Sequence, residues 1–185
     1  MKRAKVLLLI TVAVILMGSG GCAATRGSLW DAVKHDDVAM AHSILKRGGS
    51  TNVRDHYGDT PLHSAAMCGT GKMGKLAVAK VLIAYGADVT AKGDYGSTPL
   101  HYAALTNHVD VAEIFIAHGA DVNARDDYGR TPLFRTSEFN SVDVAKLLIE
   151  NGADVNAKDD HGLTVLRHNP DGQLAELLRQ HGAKG

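Results

Sequence analysis

Apolar and polar residues recur along this chain in blocks of fixed order. One block runs Val109, Val111, Ala112, Ile114, Phe115, Ile116, with Asp110, Glu113 and His118 as its polar positions. Leu76, Val78, Ala79, Val81, Leu82 and Ile83 form a second, and Val142, Val144, Ala145, Leu147, Leu148 and Ile149 a third. This spacing predicts short helices, each with a wide apolar stripe. The predicted helices end at Gly48, Gly86, Gly119, Gly152 and Gly182, where the left-handed turn that closes a helix costs nothing. Upstream of these blocks lies a shorter predicted helix that begins at Thr60, Thr98, Thr131 or Thr164. A Thr hydroxyl can cap the free amides there, and Pro61, Pro99 and Pro132 take the first helical position, where no amide hydrogen is needed. Ala65-Ala66 and Ala103-Ala104 keep these helices slim enough for close packing.

The order repeats. Thr60-Pro61-Leu62-His63 returns as Thr98-Pro99-Leu100-His101, as Thr131-Pro132-Leu133-Phe134 and as Thr164-Val165-Leu166-Arg167, at intervals of 38, 33 and 33 residues. Gly86-Ala87-Asp88, Gly119-Ala120-Asp121, Gly152-Ala153-Asp154 and Gly182-Ala183 keep step with it. Gly58, Gly96, Gly129 and Gly162 stand two residues before each capping Thr and suit a tight turn. Two markers that share one period are the signature of a repeat array. This pattern resembles the ankyrin repeat over roughly residues 28–185. The resemblance implies an all-α solenoid of helix–turn–helix units joined by β-turn or hairpin loops. It divides the chain into an N-terminal cap (28–55), three fuller units (56–93, 94–126, 127–159) and a C-terminal cap (160–185). No single unit can bury its stripe alone, so stacking must hold the array together.

The units are not identical. The first lacks the Thr-Pro start and carries Lys34, His35, Asp36 and Asp37. The last has Arg179 where the others have Ile83, Ile116 and Ile149, and Asn169-Pro170-Asp171-Gly172 cuts its first helix. The second carries five extra residues within Cys68–Gly74, read as a flexible insertion or a partner-contacting loop. It lacks the spacing of a phosphate loop. In the fourth unit Phe134 replaces the motif His, which in the family ties adjacent loops. Looser packing, or a large side chain filling space beside Thr136 and Ser137, is expected there.

The N-terminus has a different character. Lys2, Arg3 and Lys5 precede an apolar run from Val6 to Met17, followed by Gly18-Ser19-Gly20-Gly21-Cys22-Ala23-Ala24. Residues 1–21 are read as a secretory signal peptide and 22–27 as a short linker. The run is shorter than a membrane span requires. Cys22 after small residues resembles a bacterial lipoprotein signal, in which the Cys is lipidated and becomes the mature N-terminus. Gly21 fits that pattern and Ser19 departs from it; Ala23 fits an outer-membrane destination. Cleavage near Ala23 or Ala24 is the competing outcome and would release a soluble periplasmic protein. A membrane contact is expected only through the lipid.

Charge and chemistry narrow the function. Lys plus Arg and Asp plus Glu are both 20, a balance that argues against nucleic acid. Loss of Lys2, Arg3 and Lys5 with the signal leaves 17 basic against 20 acidic residues. Two Cys, Cys22 and Cys68, make no disulfide framework. The ten His are scattered or belong to the repeat, and none forms a zinc-spaced cluster. No nucleophile–base–orienter set can be named, so neither an enzyme nor a cofactor is expected. Asp88, Asp121 and Asp154 belong to the repeat and should cap loops.

A monomer is expected, and the resemblance implies that it binds a protein partner through its turn tips and first helices. The corresponding residues include Tyr57, Asp59, Ser64 and Met67; Tyr95, Ser97, Tyr102 and Leu105; and Tyr128, Arg130, Arg135 and Glu138. Three functions compete: a binding module of the cell envelope, a periplasmic immunity protein that neutralises a toxic envelope enzyme, and a secreted effector that binds host proteins.

Overall fold

The computed structural model describes residues 27–67 and 75–184. The signal segment, Cys22, the linker up to residue 26 and the Cys68–Gly74 insertion lie outside the described residues. Among the described residues ten α-helices pair along the chain. They are α1 (Leu29–His35) with α2 (Val38–Lys46), α3 (Pro61–Met67) with α4 (Leu76–Ala84), and α5 (Pro99–Thr106) with α6 (Val109–Ala117). Then come α7 (Pro132–Phe139) with α8 (Val142–Glu150), and α9 (Val165–His168) with α10 (Gly172–Gln180). First helices pack serially, α1 on α3, α3 on α5, α5 on α7 and α7 on α9. Second helices do the same in a parallel layer. The result is the all-α solenoid that the sequence predicts.

The third unit shows why these residues fold this way. Thr98 is extended (φ −93°, ψ 166°), and Pro99 opens α5. The Thr98 amide donates to Nδ1 of His101 at 3.1 Å, so the motif His closes the capping box. The helix stops at Asn107, which is left-handed with φ 58°. Asn is one of the few residues that adopt this conformation readily, because its short polar side chain bonds locally. Its Oδ1 then accepts the Val144 amide at 3.1 Å, near the start of α8 in the next unit. Asp36, also left-handed, accepts the Val78 amide at 3.2 Å in the same way. Neither α4 nor α8 has a side-chain cap of its own. Each is capped by the unit before it.

The apolar stripe divides on packing. Val111, Ala112 and Phe115 are fully buried, as are Leu100, Ala103 and Ala104 of the facing helix layer. Val109, Ile114 and Ile116 are half-buried at the margin of that core. His118 donates from Nδ1 to the Ile114 carbonyl at 2.8 Å, and Gly119 (φ +89°) turns the chain away. His181 repeats this bond to Leu177 at 2.9 Å.

The departures resolve in physical terms. Phe134 is buried at 1% exposure and fills the fourth unit, its ring 5.1 Å from that of His168. Of the two expectations for this unit, the filled one holds and the looser one does not. Thr136 and Ser137 satisfy their hydroxyls on the Leu133 and Phe134 carbonyls, at 2.6 and 2.7 Å. The last unit's first helix is only four residues long. Arg179 is exposed, and its Nη2 donates to the Pro170 carbonyl at 2.6 Å.

Phe115→Ala should lower unfolding free energy by about 3–5 kcal/mol, the usual cost of emptying a large aromatic site. Urea denaturation followed by circular dichroism measures it; a loss below about 1 kcal/mol would mean that the site collapses freely.

Candidate functional site

The turns between units are held from within and from the neighbouring unit. Asp55 Oδ1 accepts the amides of Tyr57 and Asp59 at 2.9 and 3.0 Å. Asp126 does the same for Tyr128 and Arg130, and Asp159 for His161 and Leu163, all at 2.9 Å. Three cations, Arg54, Lys92 and Arg125, then bridge onward. Arg54 donates to the Gly58 and Lys92 carbonyls, both at 2.6 Å. Lys92 reaches the Arg125 carbonyl at 3.1 Å, and Arg125 donates to the Gly129 and Lys158 carbonyls, both at 2.8 Å. An Asn ladder runs beside it. Asn123 Oδ1 accepts the Asp154 amide at 2.8 Å while its Nδ2 donates to the Gly152 carbonyl at 3.1 Å. Asn52 and Asn156 make the matching amide bonds to Asp88 and Lys184. Asp88, Asp121 and Asp154 cap the residues two ahead, at 2.8, 2.8 and 2.9 Å.

His63 and His101 tie the turns to the core. Nδ1 of each accepts its own unit's Thr amide, which fixes the proton on Nε2. Nε2 donates to the next unit, His63 to the Ser97 carbonyl and His101 to that of Arg130, both at 3.0 Å. Burial pushes both imidazoles down to about 4, so both are neutral at physiological pH.

On this scaffold the predicted contact residues fall into three groups. Tyr57, Tyr95 and Tyr128 are exposed at 47%, 58% and 40%. The rings of Tyr95 and Tyr128 lie 5.7 Å apart, and the guanidinium of Arg130 sits 5.4 Å from the centre of Tyr128. Ser64, Met67, Tyr102, Arg130, Arg135 and Glu138 are half-buried. Asp59, Ser97 and Leu105 are buried, which leaves their side chains little surface to offer.

Several of these groups are committed to one another. Arg135 pairs with Asp126 at 2.7 Å and Glu138 at 3.0 Å, and Arg130 lies 3.6 Å from Glu138. The Tyr102 hydroxyl donates to Asp59 Oδ2 at 3.2 Å. Burial raises the Asp59 carboxyl above its ordinary value, and the charge of Asp55 adds to the rise. Asp94 is raised by burial and by Asp59, and the Tyr102 phenol by burial and the same two acids. Among the described residues no group of three or more His, Cys, Asp or Glu could hold a metal. No described helix is long and apolar enough to cross a membrane. Ser137 Oγ lies 3.0 Å from Nδ1 of His168, but the same hydroxyl also donates to the Phe134 carbonyl. The arrangement is suited to presenting a fixed surface.

Comparison with protein families matches residues 29–126 and 72–159 to Ankyrin repeats (3 copies). The chain belongs to the ankyrin-repeat family, whose repeats are protein–protein interaction modules and act as a non-catalytic scaffold. No curated protein matches it.

The cation and Asn ladders were not foreseen from the sequence. Their signal was available in register: Arg54, Lys92, Arg125 and Lys158 precede the turns by a constant offset, as do Asn52, Asn123 and Asn156. The inward turn of Arg135 and Tyr102 was not foreseen either, since partners such as Asp126 and Asp59 come from outside their own helices.

Neutral His63 and His101 set a pH dependence. An unfolded imidazole titrates near its ordinary value of 6.5, while in the fold these two titrate at about 4. The unfolded state therefore binds more protons in between, so their contribution is whole above pH 6.5 and is lost as pH falls toward 4. Each contributes a slope approaching about 1.4 kcal/mol per pH unit in that window. Urea denaturation of the wild type and His101→Gln from pH 7.5 to 4.5 should show a shallower slope in the variant. Parallel slopes would mean that folding leaves the His101 imidazole unshifted.

Proposed function

We propose that the chain is exported to the bacterial cell envelope and works there as a non-catalytic binding module. Its partner is a protein held on the ridge of Tyr57, Tyr95 and Tyr128. The observation that carries this reading is the exposure of three tyrosines, one per successive unit, on turns whose backbones are bonded across units. A tyrosine offers a large rigid surface with little side-chain entropy to lose, and such residues often dominate binding energy. The ladders fix the ridge before any partner arrives, which lowers the ordering cost of association. The order of charge, apolar run and small residues through Cys22 supports export, with a lipid on Cys22 tethering the module to a membrane surface.

Tagged full-length chain expressed in a Gram-negative host and captured from its envelope tests both parts. The wild type should retain a specific protein, and Tyr95→Ala/Tyr128→Ala should retain at least about tenfold less while unfolding at a similar midpoint. Equal capture would remove the ridge from binding. Mass spectrometry of the N-terminus should find a lipidated Cys22; an unprocessed Met1 would contradict export.

A further inference from the structure

The residue five positions before each capping Thr is Asp55, Gly93, Asp126 or Asp159. Three turns therefore carry at this position a carboxylate that accepts two of their amides, and the third unit's turn has none there. The space is not empty. A Cβ built on Gly93 would fall on Oδ1 of Asp59 and within 2.9 Å of Nε2 of His63. Asp59 belongs to the preceding turn, at a position occupied elsewhere by Ser97, Arg130 and Leu163. Its Oδ1 accepts the Asp94 amide at 3.0 Å, and the Tyr102 hydroxyl holds its Oδ2 at 3.2 Å. Two departures from the repeat thus interlock: a carboxylate appears on one turn where the next has lost both its own carboxylate and its Cβ.

The borrowed carboxylate does not bond the same amides as an owned one. Asp55 and Asp126 hold the Tyr57 and Tyr128 amides, whereas Asp59 holds that of Asp94, one residue earlier in the turn. The third turn accordingly winds as a 3-10 segment, Asp94–Gly96, with Tyr95 left-handed at φ 49°, ψ 35°. Neither Tyr57 nor Tyr128 has positive φ. A bulky residue in this region is strained and persists only when its surroundings hold it there. Tyr95 is also the most exposed of the three rings.

We propose that Asp59 is a positioning residue for the ridge: lent across the joint between the second and third units, its carboxylate sets the left-handed turn that presents Tyr95. The ridge's role in binding rests on the function proposed above; the setting of Tyr95 does not. Gly93 must stay without a side chain for the loan to work.

The test uses Asp59→Ser, Asp59→Asn, Gly93→Asp and the double variant Asp59→Ser/Gly93→Asp in the full chain. Nuclear Overhauser intensity between the amide and Hα protons of Tyr95 reads the sign of φ, being strong only when φ is positive. Asp59→Asn keeps an acceptor and should keep the strong signal. Asp59→Ser should lose it, with a midpoint lower by about 4 °C or more. Gly93→Asp should fall at least as far, and the double variant should regain most of the loss with a Tyr95 signal as weak as that of Tyr128. Singles that fail to fold beside a folded double variant give the same support. A strong Tyr95 signal in Asp59→Ser, or losses that simply add in the double variant, would overturn the proposal. Capture by Asp59→Ser reads the two claims separately. A lost signal with undiminished capture leaves the clasp standing and removes Tyr95 from binding.

Discussion

Every helix pair in this molecule depends on the next pair to keep its apolar side dry. A nine-residue helix such as α6 is too short to stand alone in water. Its Val111, Ala112 and Phe115 reach zero exposure only within the continuous core that runs through the units. The dependence extends to hydrogen bonds. α4 and α8 are capped by Asp36 and Asn107 of other units, and the motif imidazoles donate to the following turn. Stability in such an array is a sum of weak units and the interfaces that couple them.

This coupling has a consequence for the exterior. Loops usually move because few groups hold them. Here three turns are laced by an aspartate of their own and the third unit's turn by Asp59 of the unit before, with cations and imidazoles bridging between units. The exposed tyrosines therefore stand on fixed backbone, and Arg130 and Arg135 are drawn into internal pairs with Glu138 and Asp126. Tyr57, Tyr95 and Tyr128 remain exposed on these turns, beside exposed polar neighbours such as His56, Asp127 and Asp160.

The repeat and its paired helices were legible in the sequence because Thr, Pro and Gly act locally. The capping box closes within four residues, and Gly119 turns the chain by itself. The use of the inward polar residues was not legible. Asp59 and Tyr102 are 43 positions apart, and their meeting depends on how the second and third units pack. Register held part of the answer. Gly93 breaks the row of Asp55, Asp126 and Asp159, and a break in a repeat asks what has taken its place. Phe134 illustrates the limit: loss of a hydrogen-bonding His was plain, but only packing shows that the ring fills its site.

The account stands or falls on the claim that turns are held across units. Amide hydrogen exchange tests this at Asp127 and Asp160, which donate to the Tyr95 and Tyr128 carbonyls of the preceding turns at 2.9 and 3.0 Å. Both residues are exposed at the surface, so an unheld amide there would exchange within seconds. The account predicts protection close to that of the α6 core amides. Exchange at the rate of a free loop would contradict it.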